Sequence, residues 1–118
     1  MTLERQQLGR RGEDLAAEFL IAQGFQILGR NLRYCFGEID LLAQDDQVVV
    51  VVEVKTQKTA TYSDPVYKVD RAKQRKLHQL ASLVAIQYSG RNVRVDVVTI
   101  SWNQAGEPII THLENVLS

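Results

Sequence analysis

Five consecutive valines, Val48 to Val52, run directly into Glu53-Val54-Lys55. A β-branched run this apolar is a strand buried on both faces, so it belongs in the interior of a sheet with a layer of structure above and below. A carboxylate and an ammonium at the end of such a strand cost several kcal/mol unless they are paired or hold a metal. A second short apolar strand, Gly37-Glu38-Ile39-Asp40-Leu41-Leu42, also carries acids able to turn inward. Together the two strands have the makings of a metal site built on a hairpin.

Around this hairpin the chain reads as α-β-β-β-α-β-β, a mixed sheet flanked by helices in an α/β fold. Residues Gln7 to Gly24 are expected to be helical, with Ala16, Ala17, Phe19 and Leu20 on one face and Gly24 as the C-cap. Phe25 to Asn31 gives a first strand, Glu38 to Ala43 and Val48 to Lys55 the hairpin, and Gln57 to Ser63 a polar loop. After a turn at Asp64-Pro65, a helix is expected from Lys68 to Tyr88, its apolar stripe formed by Leu77, Leu80, Ala81, Val84, Ala85 and Tyr88. Val93 to Ser101 and Ile109 to Leu113 complete the sheet.

The length of 118 residues suits one domain spanning 1–118, and 45% hydrophobic residues with two prolines argue against disorder. Met1 to Arg11 is polar and basic, without a signal-peptide pattern, and the longest apolar run is far short of a membrane span. The single cysteine, Cys35, has no internal disulfide partner. These features point to the cytoplasm and away from a membrane.

Net charge is zero, but it is unevenly spread. From Lys55 to Lys76 there are seven Lys/Arg against two acids, and from Glu38 to Glu53 five acids and no base. An acidic pocket beside a basic helix suits a metal-dependent enzyme acting on a polyanion. If the hairpin turns at Asp46-Gln47, paired residues have numbers summing to 93 and Asp40 lies opposite Glu53; a turn at Asp45-Asp46 makes them diagonal neighbours. Because side chains alternate with a period of 2, Glu38, Asp40, Glu53 and Lys55 share one face in either register, and only a turn of the other parity would split them. Two carboxylates there repel unless a proton or divalent cation lies between them, and their hard oxygens suit Mg²⁺ or Mn²⁺. Lys55, beside Glu53, is placed to orient an attacking water. Glu13 shares the inner stripe of the first helix, and Lys73 the inner face of the second, near an N-terminal end where a cation opposes the helix dipole unless an anion docks.

Other polar and aromatic residues read as structural. His78 falls off the apolar stripe, His112 lies in a terminal strand, Cys35 is a small residue expected to be buried, and Tyr34 and Trp102 are packing residues. Glu53 and Lys55 also admit a structural reading, as an ion pair at a strand end.

The succession Gly9-x-x-Gly12-Glu13-x-x-Ala16, Gly37-Glu38-Ile39-Asp40-Leu41, Val52-Glu53-Val54-Lys55-Thr56, Lys73 opening a helix, and Arg94-Val95-Asp96-Val97-Val98 resembles the YraN family of small bacterial proteins. That family is similar to archaeal Holliday junction resolvases and to the restriction-endonuclease-like, or PD-(D/E)XK, nuclease superfamily. The resemblance implies a restriction-endonuclease-like fold and metal-dependent phosphodiester hydrolysis of DNA, including branched DNA. Asp40 and Glu53 correspond to the metal-binding acids, Lys55 to the catalytic lysine, and Glu13 to the helix-one glutamate. Lys68, Arg71, Lys73, Arg75 and Lys76 are the expected phosphate contacts, and a two-fold dimer is the expected assembly. Ile39 stands where the superfamily name has proline, and Gln57 where arginine is common. The alternative is a catalytically inactive nucleic-acid-binding or protein-interaction module on the same scaffold.

Overall fold

The computed structural model describes residues 3–57 and 70–117. The elements are α1 (Leu3–Ala22), β1 (Gln26–Tyr34), β2 (Gly37–Asp45), β3 (Val48–Thr56), α2 (Arg71–Gln87), β4 (Val93–Trp102) and β5 (Pro108–Leu113). This is the expected order. The polar loop, the Asp64-Pro65 turn and Lys68 lie outside the described residues.

The five strands lie in sequence order, β1-β2-β3-β4-β5. Neighbours are antiparallel except β3 and β4, which are parallel. A parallel pair needs a crossover connection, and α2 is part of it. The valine strand is central, and its side chains alternate between two cores. Val50 and Val52 pack with Ala16, Ala17 and Leu20 of α1, while Val49 and Val51 pack with Leu77, Leu80 and Val84 of α2. The sheet is thus covered by one helix on each face, as a strand apolar on both sides requires.

Both helices are fixed at points that bear on the site. At the C-terminus of α1, the Phe25 N–H donates to the Leu20 carbonyl at 2.9 Å and the Gly24 N–H to Ile21 at 3.0 Å. With Gly24 at φ +97°, this is a Schellman cap, the end expected for this helix. Midway along its length α1 touches β3 so closely that a Cβ on Gly12 would sit 2.1 Å from Thr56 Oγ1. Glu13, the next residue, is thereby held beside the end of β3. The Asp70 side chain caps α2 by accepting the Lys73 N–H at 2.8 Å.

The β2–β3 ladder runs from Asp45–Val48 to Leu41–Val52, the register that sums to 93 and sets Asp40 opposite Glu53. Its turn is Asp46-Gln47, with Asp46 at φ +55°. The even alternation expected along β2, however, does not hold. Leu41 packs in the α1 core and Ile39 in the α2 core, although an intact pleat would put both on one side. Beside the break, Asn31 of β1 has φ +51°, and β1–β2 pairing passes from Arg30–Leu41 to Leu32–Ile39 across Asn31 and Asp40. Glu38 consequently falls on the side away from Glu53 and pairs with Arg33 at 3.0 Å. It does not join the acidic set.

Candidate active site

The site lies where the β2–β3 ladder ends. Past the Leu41–Val52 pair, the Val54 backbone N–H donates to Asp40 Oδ2 at 2.8 Å. The pleat break therefore aims the Asp40 carboxyl at β3 rather than into either core. Burial is the largest influence on this group and pushes its pKa up to about 6. The Val54 N–H pulls it down, the negative charges of Glu13 and Glu53 push it further up, and the Lys73 ammonium pulls it down. Glu13 from α1, Asp40 from β2, Glu53 from β3 and Lys73 from α2 thus share one electrostatic neighbourhood.

Glu53 lies on the α2 side of β3, in phase with Val49 and Val51. Its side chain is largely buried, and its Oε1 forms an ion pair with the Lys73 Nζ. Lys73 is half-exposed and reaches this carboxylate from the first turn of α2. Lys55, two residues on in the same unbroken strand, shares the face of Glu53. It is exposed, and among the described residues no carboxylate pairs with it. Arg71, Arg75 and Lys76 are exposed along α2. The Lys76 stem lies against the β1–β2 turn, so that a Cβ on Gly37 would fall 2.3 Å from Lys76 Cε.

The donors gathered here are hard carboxylate oxygens, chemically suited to Mg²⁺ or Mn²⁺. Among the described residues no group of three or more His, Cys, Asp or Glu side chains forms a ready cage for an ion. A Mg²⁺-type site needs fewer protein donors, one or two carboxylates completed by water and substrate phosphate. Asp40 and Glu53 are the residues that would hold it.

The residues read as structural divide. His78 is exposed on α2, Trp102 is buried, and the Tyr34 hydroxyl donates to Gln87 Oε1 at 2.8 Å while its ring packs on the α2 core. Cys35 is exposed rather than buried, because β1 continues past Asn31 to Tyr34 and leaves Cys35-Phe36 at the tip of the hairpin. His112 is structural but belongs to a network that the sequence reading missed. Asp96, fully buried, accepts from Arg94 Nε at 3.0 Å and from the Asn115 N–H at 2.9 Å, and lies 2.8 Å from His112 Nε2. The available signal was Arg94-Val95-Asp96, two opposite charges on one face of an otherwise apolar strand.

The family profile described as the uncharacterised protein family UPF0102 matches residues 12–100, a span that includes Glu13, Asp40, Glu53, Lys55 and Lys73. The chain belongs to this family. The UPF0102 protein of Arthrobacter sp. (strain FB24) is 45% identical over 111 residues, covering 92% of this chain and 94% of the relative. That of Symbiobacterium thermophilum is 47% identical over 95 residues, covering 79% and 80%. That of Nocardia farcinica is 37% identical over 115 residues, covering 96% and 91%. Membership of UPF0102 agrees with the YraN resemblance carried by the motifs. No helix among the described residues is long and apolar enough to cross a membrane.

Proposed function

We propose that this UPF0102 protein is a Mg²⁺- or Mn²⁺-dependent nuclease of the restriction-endonuclease-like type, hydrolysing phosphodiester bonds in DNA, branched DNA included. The observation that carries the reading is the Asp40 carboxyl, turned out of its strand's pleat onto the Val54 N–H and set in the combined negative field of Glu13 and Glu53. Acids brought together from three elements repel one another, and a divalent cation relieves that repulsion. A bound ion would supply Lewis acidity toward a phosphoryl oxygen and lower the pKa of water. Asp40 and Glu53 contribute its carboxylate donors. Lys55 extends its ammonium into solvent on the face of Glu53, where it holds a phosphoryl oxygen and orients the incoming water. Glu13 accepts a hydrogen bond from ordered water on the α1 side. Arg71, Arg75 and Lys76 bind flanking phosphates, and Lys68 extends the same basic stretch of sequence.

The test is cleavage of labelled linear, nicked, flapped and four-way DNA with Mg²⁺, Mn²⁺ or chelator. Metal-dependent cutting by the wild type, lost in Asp40→Asn and Glu53→Gln, supports the reading; cutting at the wild-type rate by either variant removes it. The Lys73–Glu53 ion pair favours a second reading, a nucleic-acid-binding or protein-interaction module whose acids are neutralised internally. Under that reading calorimetry finds no divalent-ion binding near millimolar concentration, and DNA binding is unaffected by chelator.

A further inference from the structure

We propose that Lys73 is a built-in stand-in for the divalent cation: it neutralises Glu53 while the metal is absent, and when an ion takes Glu53 it releases its ammonium to a substrate phosphate. Metal and polyanion then bind with positive coupling through one side chain. This rests on the reading that Asp40 and Glu53 hold the ion.

Lys73 Nζ pairs with Glu53 Oε1, so a cation of the protein's own already sits at the acidic site. Its charge also acts on the neighbouring Asp40 carboxylate. One lysine therefore acts on both acids, which is the electrostatic task of a bound cation. The Lys73 main chain is fixed, because its N–H donates to the Asp70 cap. Its side chain remains partly exposed, so the ammonium moves by rotation of a flexible four-carbon stem without displacing α2. A cation in the first turn of a helix opposes the macrodipole and is stabilised there by an anion. Glu53 is that anion in the free protein. Once an ion occupies Glu53, two cations compete for one carboxylate, and a phosphate arriving at the basic end of α2 is the alternative partner. By linkage, the factor by which metal strengthens DNA binding equals the factor by which DNA strengthens metal binding.

The experiment uses Lys73→Met, close in size and neutral, with Lys73→Gln as a second neutral variant and Lys73→Arg as the charge-retaining control. Mn²⁺ binding to the protein alone is measured by calorimetry. Binding to a labelled DNA duplex is measured by fluorescence anisotropy with and without Ca²⁺. Both neutral variants should bind Mn²⁺ about 5-fold or more tighter than the wild type, while Lys73→Arg stays near it. Ca²⁺ should strengthen DNA binding by a factor about 5-fold larger in the wild type than in Lys73→Met. If the wild type binds Mn²⁺ and the neutral variants bind it equally or more weakly, the stand-in role is overturned and the metal site survives. If the wild type binds no Mn²⁺, the metal site is overturned and the stand-in role falls with it.

Discussion

Ile39 and Leu41 stand two residues apart on β2 and pack into opposite cores, Ile39 toward α2 and Leu41 toward α1. The residue between them is Asp40. A strand that changes face at one position frees the intervening side chain from both cores, and the Asp40 carboxyl turns along the sheet to receive the Val54 N–H at 2.8 Å. There it feels a charge from each side of the sheet, Glu13 from α1 and Glu53 from the α2 face of β3. An unbroken pleat would have kept Asp40 on the α2 face with Glu53; the break also brings its carboxyl into the field of Glu13.

This arrangement carries a stability cost that depends on pH. In the fold Asp40 has a pKa of about 6, against an ordinary value near 4 in the unfolded chain. The folded state therefore holds this proton more tightly, and its contribution to stability is greatest below about pH 4, falls as pH rises toward 6 and stays low above that. Asp40→Asn removes the titration and keeps an oxygen to accept the Val54 N–H. After allowance for partial exposure, Asn should be more stable than wild type by on the order of 1–2 kcal/mol at pH 7.5, with the advantage vanishing near pH 4. Urea unfolding at several pH values measures this. An advantage that grows toward acid pH would contradict the assignment. Asp40→Ala should lack the gain, since it leaves Val54 without its acceptor at a cost of about 1–3 kcal/mol.

Gly12 sets the position of Glu13 through its contact with Thr56. A methyl group there would meet Thr56 Oγ1 at 2.1 Å and Thr56 Cβ at 3.1 Å. Gly12→Ala should destabilise the protein by about 1–3 kcal/mol, more than the helix propensity of alanine returns. Thr56→Ala in the same chain removes the two nearest atoms and should recover most of the loss. A double-mutant cycle by thermal unfolding would show this as strong coupling. Additive effects would mean that α1 does not approach β3 at this point.

The residues legible from sequence were those governed by local rules. The valine run dictated a strand buried on both faces, and the alternation of Val49 to Val52 between two cores follows. The tight Asp46-Gln47 turn set the hairpin register and hence the opposition of Asp40 and Glu53. The misreadings share a different origin. Placing Glu38 with Glu53 assumed a continuous pleat, and nothing in Ile39-Asp40-Leu41 announces the break. Asn31 resembles the polar end of a strand, yet it takes up a positive φ inside β1. The strand therefore continues, and Cys35 is carried out to the hairpin tip. The partners of Lys73 and Asp96 depend on how α2 docks and where the C-terminal segment returns, which are non-local matters that periodicity does not encode.

Asp96 illustrates the cost of that non-local order. It is fully buried, and its carboxylate holds Arg94, His112 and the Asn115 N–H. The last bond and the one from the Val116 N–H to the Val95 carbonyl, at 2.8 Å, attach the C-terminal segment to β4. Asp96→Ala leaves the Asn115 N–H without its acceptor and Arg94 with only Asp45 at 3.3 Å and Glu114 at 4.0 Å, and should cost about 1–3 kcal/mol. Amide hydrogen exchange should accelerate first at Asn115 and Val116. A loss under 1 kcal/mol, with unchanged exchange there, would mean that Arg94 and His112 find equivalent partners without Asp96.

The basic face of α2 makes a separable prediction about binding. Arg71, Arg75 and Lys76 are exposed near the end of the helix that faces the acids, and Lys76 is held over the β1–β2 turn by its contact with Gly37. Arg91, beyond the C-terminus of α2, lies at the far end of the sheet and serves as the control. Each phosphate contact removed should lower the slope of log K against log salt by about 1, so Arg71→Gln, Arg75→Gln and Lys76→Gln should each flatten it by that amount. Arg91→Gln should leave it unchanged. Anisotropy titrations of a labelled duplex across a salt series, in chelator, read the slope without any cleavage. Equal flattening by Arg91→Gln would show diffuse attraction to the whole surface, and the acidic site would then have no oriented polyanion beside it.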